Sequence, residues 1–512
     1  MTNINQKQIA KNTSLLYIRM GLMMLVGLYT SRVVLEALGQ TDFGIYNVVG
    51  GVVAMFSFLS GTMSAACQKF FAQEISKGNY KELNKTFNLC LLVFIVIIIL
   101  IVLLSETAGL LLLNHKLKTQ GRLDAAKIVF QCSIVSFALS IIRSPYQGMI
   151  IIKEKMKVFA YISIVEVLAN LGVALFIRTS HNDRLILYGY LMIAVNLVVS
   201  LCYILYCYIF YHECRITLYW NKIQLKEIFS FAGWNMLGAL AGICKSQGLN
   251  ILLNIFFLPA VNAARGMAYK VLSSVQLFGD NFITAFKPQL LKSYSDNDNS
   301  GFFKLINQST KFSFYLLFII SLPLILETPL ILDIWLKQVP EHTISFTRLV
   351  LILALTDILS YPLGTAMQAY GKIKRYQIEV SGILLSILPI SYLFLKLHFP
   401  PESVYVISII ISAFSIFYRV HFISNCIGLD KRVYFQTAIK PILIVISVSS
   451  VIPVLLEFTM NPGYGKFFIV CGSAVLITAV TVFTLGMTKT ERKHSIDYIT
   501  QLLNIKNKRT TI

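Results

Sequence analysis

The strongest constraint on this chain is a rhythm. Apolar stretches long enough to cross a bilayer recur from about Ser14 to Met487, with only short polar links between them. Roughly 14 can be drawn, each close to the ~20 residues that ~30 Å of hydrocarbon demands. They fall at approximately 14–37, 45–66, 87–113, 127–150, 158–178, 185–210, 228–256, 262–286, 311–336, 343–369, 376–396, 402–424, 437–457 and 465–487. The pattern predicts an all-α, polytopic membrane protein.

Composition points the same way. Of 512 residues, 56% are hydrophobic and 13% charged, where a soluble domain carries about 25% charged residues. Mean hydropathy is +0.70. There is too little polar surface to cover a water-soluble globule, so lipid must be the solvent. No link exceeds about 25 residues, which leaves no room for a catalytic domain outside the membrane.

The net charge of +21 would suggest nucleic acid in a soluble protein. Here the cations gather in alternate links instead: Lys69, Lys77, Lys81 and Lys85; Lys153, Lys155 and Lys157; Arg215, Lys222 and Lys226; Lys287, Lys292 and Lys304; Lys372, Lys374 and Arg375; Lys431 and Arg432. The C-terminal tail adds Lys489, Arg492, Lys493, Lys506, Lys508 and Arg509. By the positive-inside rule both termini are expected in the cytoplasm, and no nucleic-acid partner is expected. One link breaks the alternation: Lys116, Lys118 and Arg122 in 114–126 fall on the outer side and read as a locally basic outer mouth. No cleavable signal peptide is expected, because the first span is too long and contains Arg19 and Arg32.

Signatures of chemistry are missing from the sequence. Nine cysteines, among them Cys90, Cys132, Cys202, Cys244 and Cys471 inside apolar runs, show neither metal nor disulfide spacing. They read as packing residues. The Asp296-Asn297-Asp298 triplet sits in an Asn- and Ser-rich link and reads as a solvated loop. No P-loop, H-E-x-x-H or G-x-S-x-G motif occurs. Neither an enzyme nor a self-contained ATP-driven pump is expected.

A weak internal repeat is visible. Gly44 opens a span running through Phe58 into a polar segment at 69–79, and about 220 residues later Gly266 opens one running through Phe278 into another at 287–298. An offset of six spans keeps both copies the same way up. That predicts a six-helix lobe at 1–211, a second at 212–432, and two further helices with a basic tail at 433–512. In such transporters substrates sit between the repeats near the midplane, and transport proceeds by rocking.

Charges placed deep in spans tend to face a wet interior, since each costs at least ~2.5–3.5 kcal/mol at mid-bilayer. Lys245 and Lys270 lie deepest and are read as cavity cations. Arg19, Arg143 and Arg265 lie shallower, where snorkelling to headgroups is an equal reading. Arg265, Tyr269, Ser273, Gln276 and Asp280 form a polar stripe on one helical face, suited to a wet pathway or to polar contact between helices. The buried acids Glu166, Asp280 and Asp357 are candidates for ion pairs or for binding a coupling H⁺ or Na⁺. No other cofactor and no metal is expected. An excess of interior cations favours an anionic substrate, with phosphate or pyrophosphate the natural group. Pro145, Pro288, Pro323, Pro362 and Pro389, with Gly50 and Gly51, are candidate bending points, and Gly238 and Gly242 a close helix contact.

Several segments resemble the Wzx-like oligosaccharide flippases of bacteria: 11–59 (KNTSLLYIRM…FSFL), 64–79 (SAACQKFFAQEISKGN), 261–282 followed by 287–294, 331–340 (ILDIWLKQVP) and 368–377 (QAYGKIKRYQ). This resemblance implies a fold related to multidrug and toxin extrusion exporters, with 14 helices. It also implies a substrate, an oligosaccharide on a polyprenyl pyrophosphate carrier moved to the outer leaflet of the bacterial cytoplasmic membrane. Polysaccharide polymerase and chain-length proteins are the implied partners, besides lipids. Related flippases use a cationic central cavity, matched here to Arg19, Arg143, Lys245, Arg265 and Lys270, with Tyr269 and Gln276 as polar contacts. Relatives often carry Arg where this chain has Lys69, near the cytoplasmic surface and outside the expected site. Alternatives are a cation-coupled multidrug-type exporter, a peptidoglycan-precursor flippase and, from another class, a membrane glycan polymerase or transferase.

Overall fold

The computed structural model describes residues 6–57, 63, 67–68, 70–71, 74–75 and 78–493, except 116, 154, 181–182, 218, 296–297, 337 and 372; side chains are described from residue 21, and not at 115, 227–239, 280–281, 284–285, 287–289, 291–292, 295 or 373. Lys69, Lys77, Lys116, Lys372, Asp296, Asn297 and the tail cations Lys506, Lys508 and Arg509 therefore lie outside the described residues, as do the side chains of Arg19, Asp280, Lys287 and Lys292.

The described residues are helical almost throughout. Helix α1 (Gln6–Ala54) bends at Gly39, whose φ of 76° and ψ of 172° only glycine adopts readily. It holds the first expected span and the start of the second. Then follow α2 (Tyr80–Asn114), α3 (Leu123–Ile152), α4 (Met156–Thr179) and α5 (Arg184–Phe210). Next are α6 (Lys222–Phe256), α7 (Pro259–Ser295), α8 (Asn299–Leu326) and the short α9 (Thr328–Trp335). The chain continues through α10 (Thr343–Tyr370), α11 (Lys374–Lys396), α12 (Ser403–Ile427), α13 (Lys431–Thr459) and α14 (Tyr464–Gly486). Among the described residues, 11 helices are long and apolar enough to cross a membrane. The helices α6 and α7 match them in length.

The links start the helices. Asn79, Asp183, Asn221, Asp298 and Asp430 each stand just before a helix and accept hydrogen bonds from its first free backbone N–H groups, which have no partner within the helix. Each helix then divides its faces between protein and lipid. On α2, Phe87, Cys90, Val93, Phe94, Ile97 and Ile101 are buried, whereas Ile95, Val96, Ile99, Leu100 and Leu103 are exposed. A row of exposed leucines and isoleucines is compatible with hydrocarbon around the helix, not with water.

Contacts group the chain into two compact units. The first comprises 1–270, 335–343 and 377–407, the second 271–334, 344–376 and 408–512. The first runs past residue 211 because α6 and the start of α7 lie directly against α1. Gly44 has the Pro259 carbonyl where a Cβ would stand, Gly266 has the Asn47 amide 2.9 Å from that position, and Gly51 has Asn250 Nδ2 at 2.5 Å. The core between α2, α3 and α5 is aromatic, with Phe87 edge-on to Tyr146 at 5.1 Å between ring centres.

At one end of this unit one residue ties the link before α5 to α1, just past the Gly39 bend. Arg122 donates from Nε and Nη2 to the two carboxylate oxygens of Asp42 at 3.0 and 2.9 Å, and from Nη2 to Asp183 at 2.8 Å. Burial alone would raise the Asp183 pKa, but Arg122 and the N–H groups of Ile186 and Leu185 outweigh it and hold the carboxyl below its usual range. Lys118 Nζ donates to the Phe256 carbonyl at 2.9 Å, and Arg178 pairs with Glu36 at 3.3 Å. The basic link that breaks the charge alternation is thus occupied locally: Lys118 and Arg122 hold carbonyls and acids of neighbouring segments.

In the second unit Lys311, with a side chain 2% exposed, pairs with both oxygens of Glu491 at 3.0 and 2.8 Å. Glu491 also accepts from the Thr488 N–H at 2.8 Å, and its own N–H donates to Thr488 Oγ1. This reciprocal cap starts the segment beyond α14 and fastens it to α8. Tyr315 donates to the Gly486 carbonyl beside it.

Candidate functional site

The polar stripe expected on α7 begins with a buried cation. Arg265 is 5% exposed. Its Nη2 donates to the Ser246 carbonyl on α6, and its guanidinium carbon lies 4.0 Å from the centre of the Tyr269 ring, one turn further along α7. A spacing of four residues puts the two side chains one above the other, so this contact is a direct consequence of sequence. Arg265 Nε has no hydrogen-bond partner among the described residues, and no described carboxylate pairs with the guanidinium. A carbonyl and a ring are thus partners of this guanidinium, and its Nε donor is buried without one among the described residues.

The other expected site residues on these two helices differ in exposure. Lys245 precedes Ser246 on α6 and is half-buried, Tyr269 and Gln276 are half-buried on α7, and Lys270 is exposed. The same two helices carry a buried amide cluster. Asn262 donates to the Asn250 carbonyl at 2.7 Å and to its side-chain oxygen at 2.9 Å, Asn254 donates to Asn262 at 3.2 Å, and Asn250 donates to the Asn47 carbonyl at 3.1 Å. Asn254 also accepts from the Lys118 N–H at 2.8 Å. Amides linked in this way satisfy one another in a region that excludes water, and they fix α6 and α7 against α1.

The remaining candidates lie apart from this group. Arg143 on α3 pairs with Glu166 on α4 at 2.9 Å, with side chains 13% and 25% exposed. A candidate cavity cation and a candidate coupling acid are therefore each other's partners, although Arg143 Nη1 keeps no hydrogen bond among the described residues. Asp357 is half-buried on α10 in the second unit. A separate recess of about 240 Å³ lies between α1, α3 and α5, lined by Tyr46, Ser133, Ser136, Ser140 and Asn196. It includes none of the expected cations.

Other membrane charges escape a reading of the sequence. Arg419 on α12 donates to the Tyr376 hydroxyl on α11 and to Ser415. Its depth within the 402–424 span is the signal that points to it. Arg348 on α10 donates to the Ile325 and Leu326 carbonyls at the end of α8, a common role for a cation at a helix C-terminus. Asn250 and Asn254, four apart in an apolar run, are the trace of the amide cluster in the sequence. Among the described residues no group of His, Cys, Asp or Glu could hold a metal.

No family model matches the chain, and no curated protein matches it by sequence. Solved structures do match. A lipid II flippase MurJ in an inward closed conformation superposes with a TM-score of 0.67 at 12% identity, over 91% of this chain and 97% of that one. The MATE multidrug transporter DinF-BH gives 0.62 at 15% identity, over 85% and 98%. An inward-facing MATE-family transporter of the MOP superfamily gives 0.59 at 12% identity, over 80% and 94%. This chain shares the helical fold of these structures, and it is an integral, multi-pass membrane protein.

Proposed function

We propose that the protein is a flippase that moves a polyprenyl-pyrophosphate-linked oligosaccharide repeat unit from the cytoplasmic to the outer leaflet, for assembly of a surface polysaccharide such as O-antigen or capsule. It works in the bacterial cytoplasmic membrane with both termini inside, and it transports without enzymatic chemistry. The observation that carries this reading is the environment of Arg265: a buried guanidinium, unpaired with any described acid, on a helix that also presents Tyr269 and Lys270. A drug exporter for cations has no use for such a group, whereas a pyrophosphate does.

In this account the six-helix lobes 1–211 and 212–432 alternate between two openings. Cations facing the cleft attract the pyrophosphate, Tyr269 and Gln276 meet sugar hydroxyls, and the polyprenyl tail stays in lipid. Contact of α6 and α7 with α1 through Gly44, Asn47 and Gly51 closes the outer end, and it must part for release. With the cell interior negative, outward movement of anionic charge is favoured by about 2.3 kcal/mol per charge per 100 mV. Protonation or Na⁺ binding at Asp280, Asp357 or Glu166 resets the cleft, the last at the expense of its pair with Arg143. Polymerase and chain-length proteins take up the product.

The test is complementation. In cells lacking their own exporter, the protein restores surface polysaccharide and the Lys245→Ala, Arg265→Ala double variant does not, at equal amounts in the membrane. Full restoration by that variant contradicts the reading. A second reading, flipping of a peptidoglycan precursor, is favoured by the likeness to the lipid II flippase. It is separated by whether loss of the gene kills the cell.

A further inference from the structure

We infer that a groove at the other end of the first unit, where the links near 79, 153 and 213 meet, binds the phosphate of an anionic lipid. The groove has a volume of about 730 Å³ and is lined by Tyr80, Lys81, Lys85, His212, Thr217 and Tyr219, among others. It lies at the opposite end of α2 from the Asp42–Arg122–Asp183 cluster, on the side that the charge alternation assigns to the cytoplasm. This site does not depend on what the protein transports.

The walls are fixed. Asn84 donates to the carbonyls of Glu213 and Arg215, both at 2.8 Å, and accepts from the Thr217 hydroxyl at 2.8 Å. Asn88, one turn on, donates to the Arg215 carbonyl at 3.0 Å and accepts from the Thr217 N–H at 2.9 Å. The link 213–217 is thereby strapped along α2. Lys153 sits 5.0 Å from the Tyr80 ring centre and 5.6 Å from that of Tyr211, and pairs with Glu213 at 2.8 Å.

Charge selects the ligand. Glu213 is the one carboxylate lining the groove among the described residues, and Lys153 neutralises it. Burial would raise its pKa, but Lys153, the Glu213 backbone and His212 together hold it below its usual range. Lys85 is shared between Glu82 at 2.7 Å and the Tyr219 ring at 5.3 Å. Lys81 is exposed and has no ion pair among the described residues. An uncommitted ammonium, an imidazole and tyrosine hydroxyls around one hollow suit a tetrahedral anion with several acceptor oxygens.

The source of that anion is lipid because the rim is built for a headgroup layer. Ile216, Trp220 and Ile223 are 77%, 67% and 75% exposed, and Arg215 and Lys222 stand among them. Three large apolar groups interleaved with cations are costly in water. At the level of headgroups both kinds are satisfied, and the anionic cytoplasmic leaflet attracts each nearby lysine or arginine.

Binding by the full chain in non-ionic detergent tests this, with three probes: phosphatidylglycerol, undecaprenyl phosphate, and phosphatidylcholine as the neutral control. Lys81→Gln is expected to weaken an anionic probe about tenfold, and Lys226→Gln, a cation outside the groove, less than twofold. Tyr219→Phe, which keeps the ring on Lys85, serves as a second variant if Lys81→Gln does not elute as a single species. It weakens the same probe by a smaller factor. Loss with phosphatidylglycerol assigns the site to bulk phospholipid, and loss with undecaprenyl phosphate alone assigns it to a carrier lipid. Either supports the groove. Unchanged affinity of the groove variants for both anionic probes, or equal affinity of the wild type for phosphatidylcholine, overturns it.

Discussion

Arg265 rests its guanidinium on the face of Tyr269, 4.0 Å from the ring centre, and both residues belong to α7. The ring presents π-density to one side of the cation while the Ser246 carbonyl takes one N–H. A cation–π contact of this kind is worth about 0.5–2 kcal/mol. Tyr269→Phe loses the hydroxyl offered to the sugar but keeps the ring, and is expected to lower transport only slightly. Tyr269→Leu removes it, frees Arg265 to wander and lowers transport several-fold. Initial rates in cells at matched membrane levels check this.

The glycines of α1 differ in what surrounds them, which makes them a controlled series. Gly50 has nothing within 4 Å of the place a Cβ would take, whereas Gly44 faces the backbone carbonyl of Pro259. Gly50→Ala is expected to be neutral or stabilising by up to ~1 kcal/mol through helix propensity. Gly44→Ala has no flexible side chain to push aside and forces α1 and α7 apart. It lowers the thermal midpoint by several degrees, read by size exclusion after heating.

Arg143 and Glu166 hold each other at 2.9 Å, with side chains only 13% and 25% exposed. Removing one partner leaves the other charge uncompensated, which costs about 3 kcal/mol, whereas replacing both with apolar groups is often near neutral. Arg143→Met is therefore expected to destabilise strongly, and Arg143→Met with Glu166→Met to recover most of the loss. Thermal unfolding followed by tryptophan fluorescence measures both.

Asp183 stands in the link before α5, where burial works to raise its pKa and is outweighed by Arg122 and by the N–H groups of Ile186 and Leu185, so that the carboxyl titrates below its usual range. A carboxyl whose folded pKa is lowered stabilises the native state above the ordinary aspartate value of about 3.9, and that advantage is lost as pH falls through the folded value. Asp183→Asn keeps an oxygen to cap α5 and gives up the charge that Arg122 meets. It is expected to unfold below wild type at pH 7, by a small margin because the pair is partly exposed. The two midpoints converge as pH drops below 4. A difference that stays constant from pH 7 to pH 3 contradicts the assignment.

The fold is legible because span length and apolar runs are local properties. Arg265 and Tyr269 are four apart on a face that any helical projection shows, whereas Asp298, read as part of a solvated link, caps α8. Partnerships between helices are not legible. Arg143 and Glu166 are 23 residues apart on separate helices, and nothing in the sequence joins a cavity cation to a coupling acid. Arg122 looks like an anomaly of topology because its acids lie 80 and 61 residues away. Arg419 finds Tyr376 across 43 residues. Depth in a span tells which charges are expensive, and only packing tells which are already compensated.

Flipping in proteoliposomes loaded with a fluorescent polyprenyl-pyrophosphate oligosaccharide measures most directly whether the α7 cations draw a phosphate-bearing lipid across the membrane. Wild-type protein is expected to move the headgroup between leaflets at a rate that Arg265→Ala and Lys270→Ala each reduce at least tenfold, with both variants folded and correctly inserted. Flipping at the wild-type rate in both variants contradicts the account.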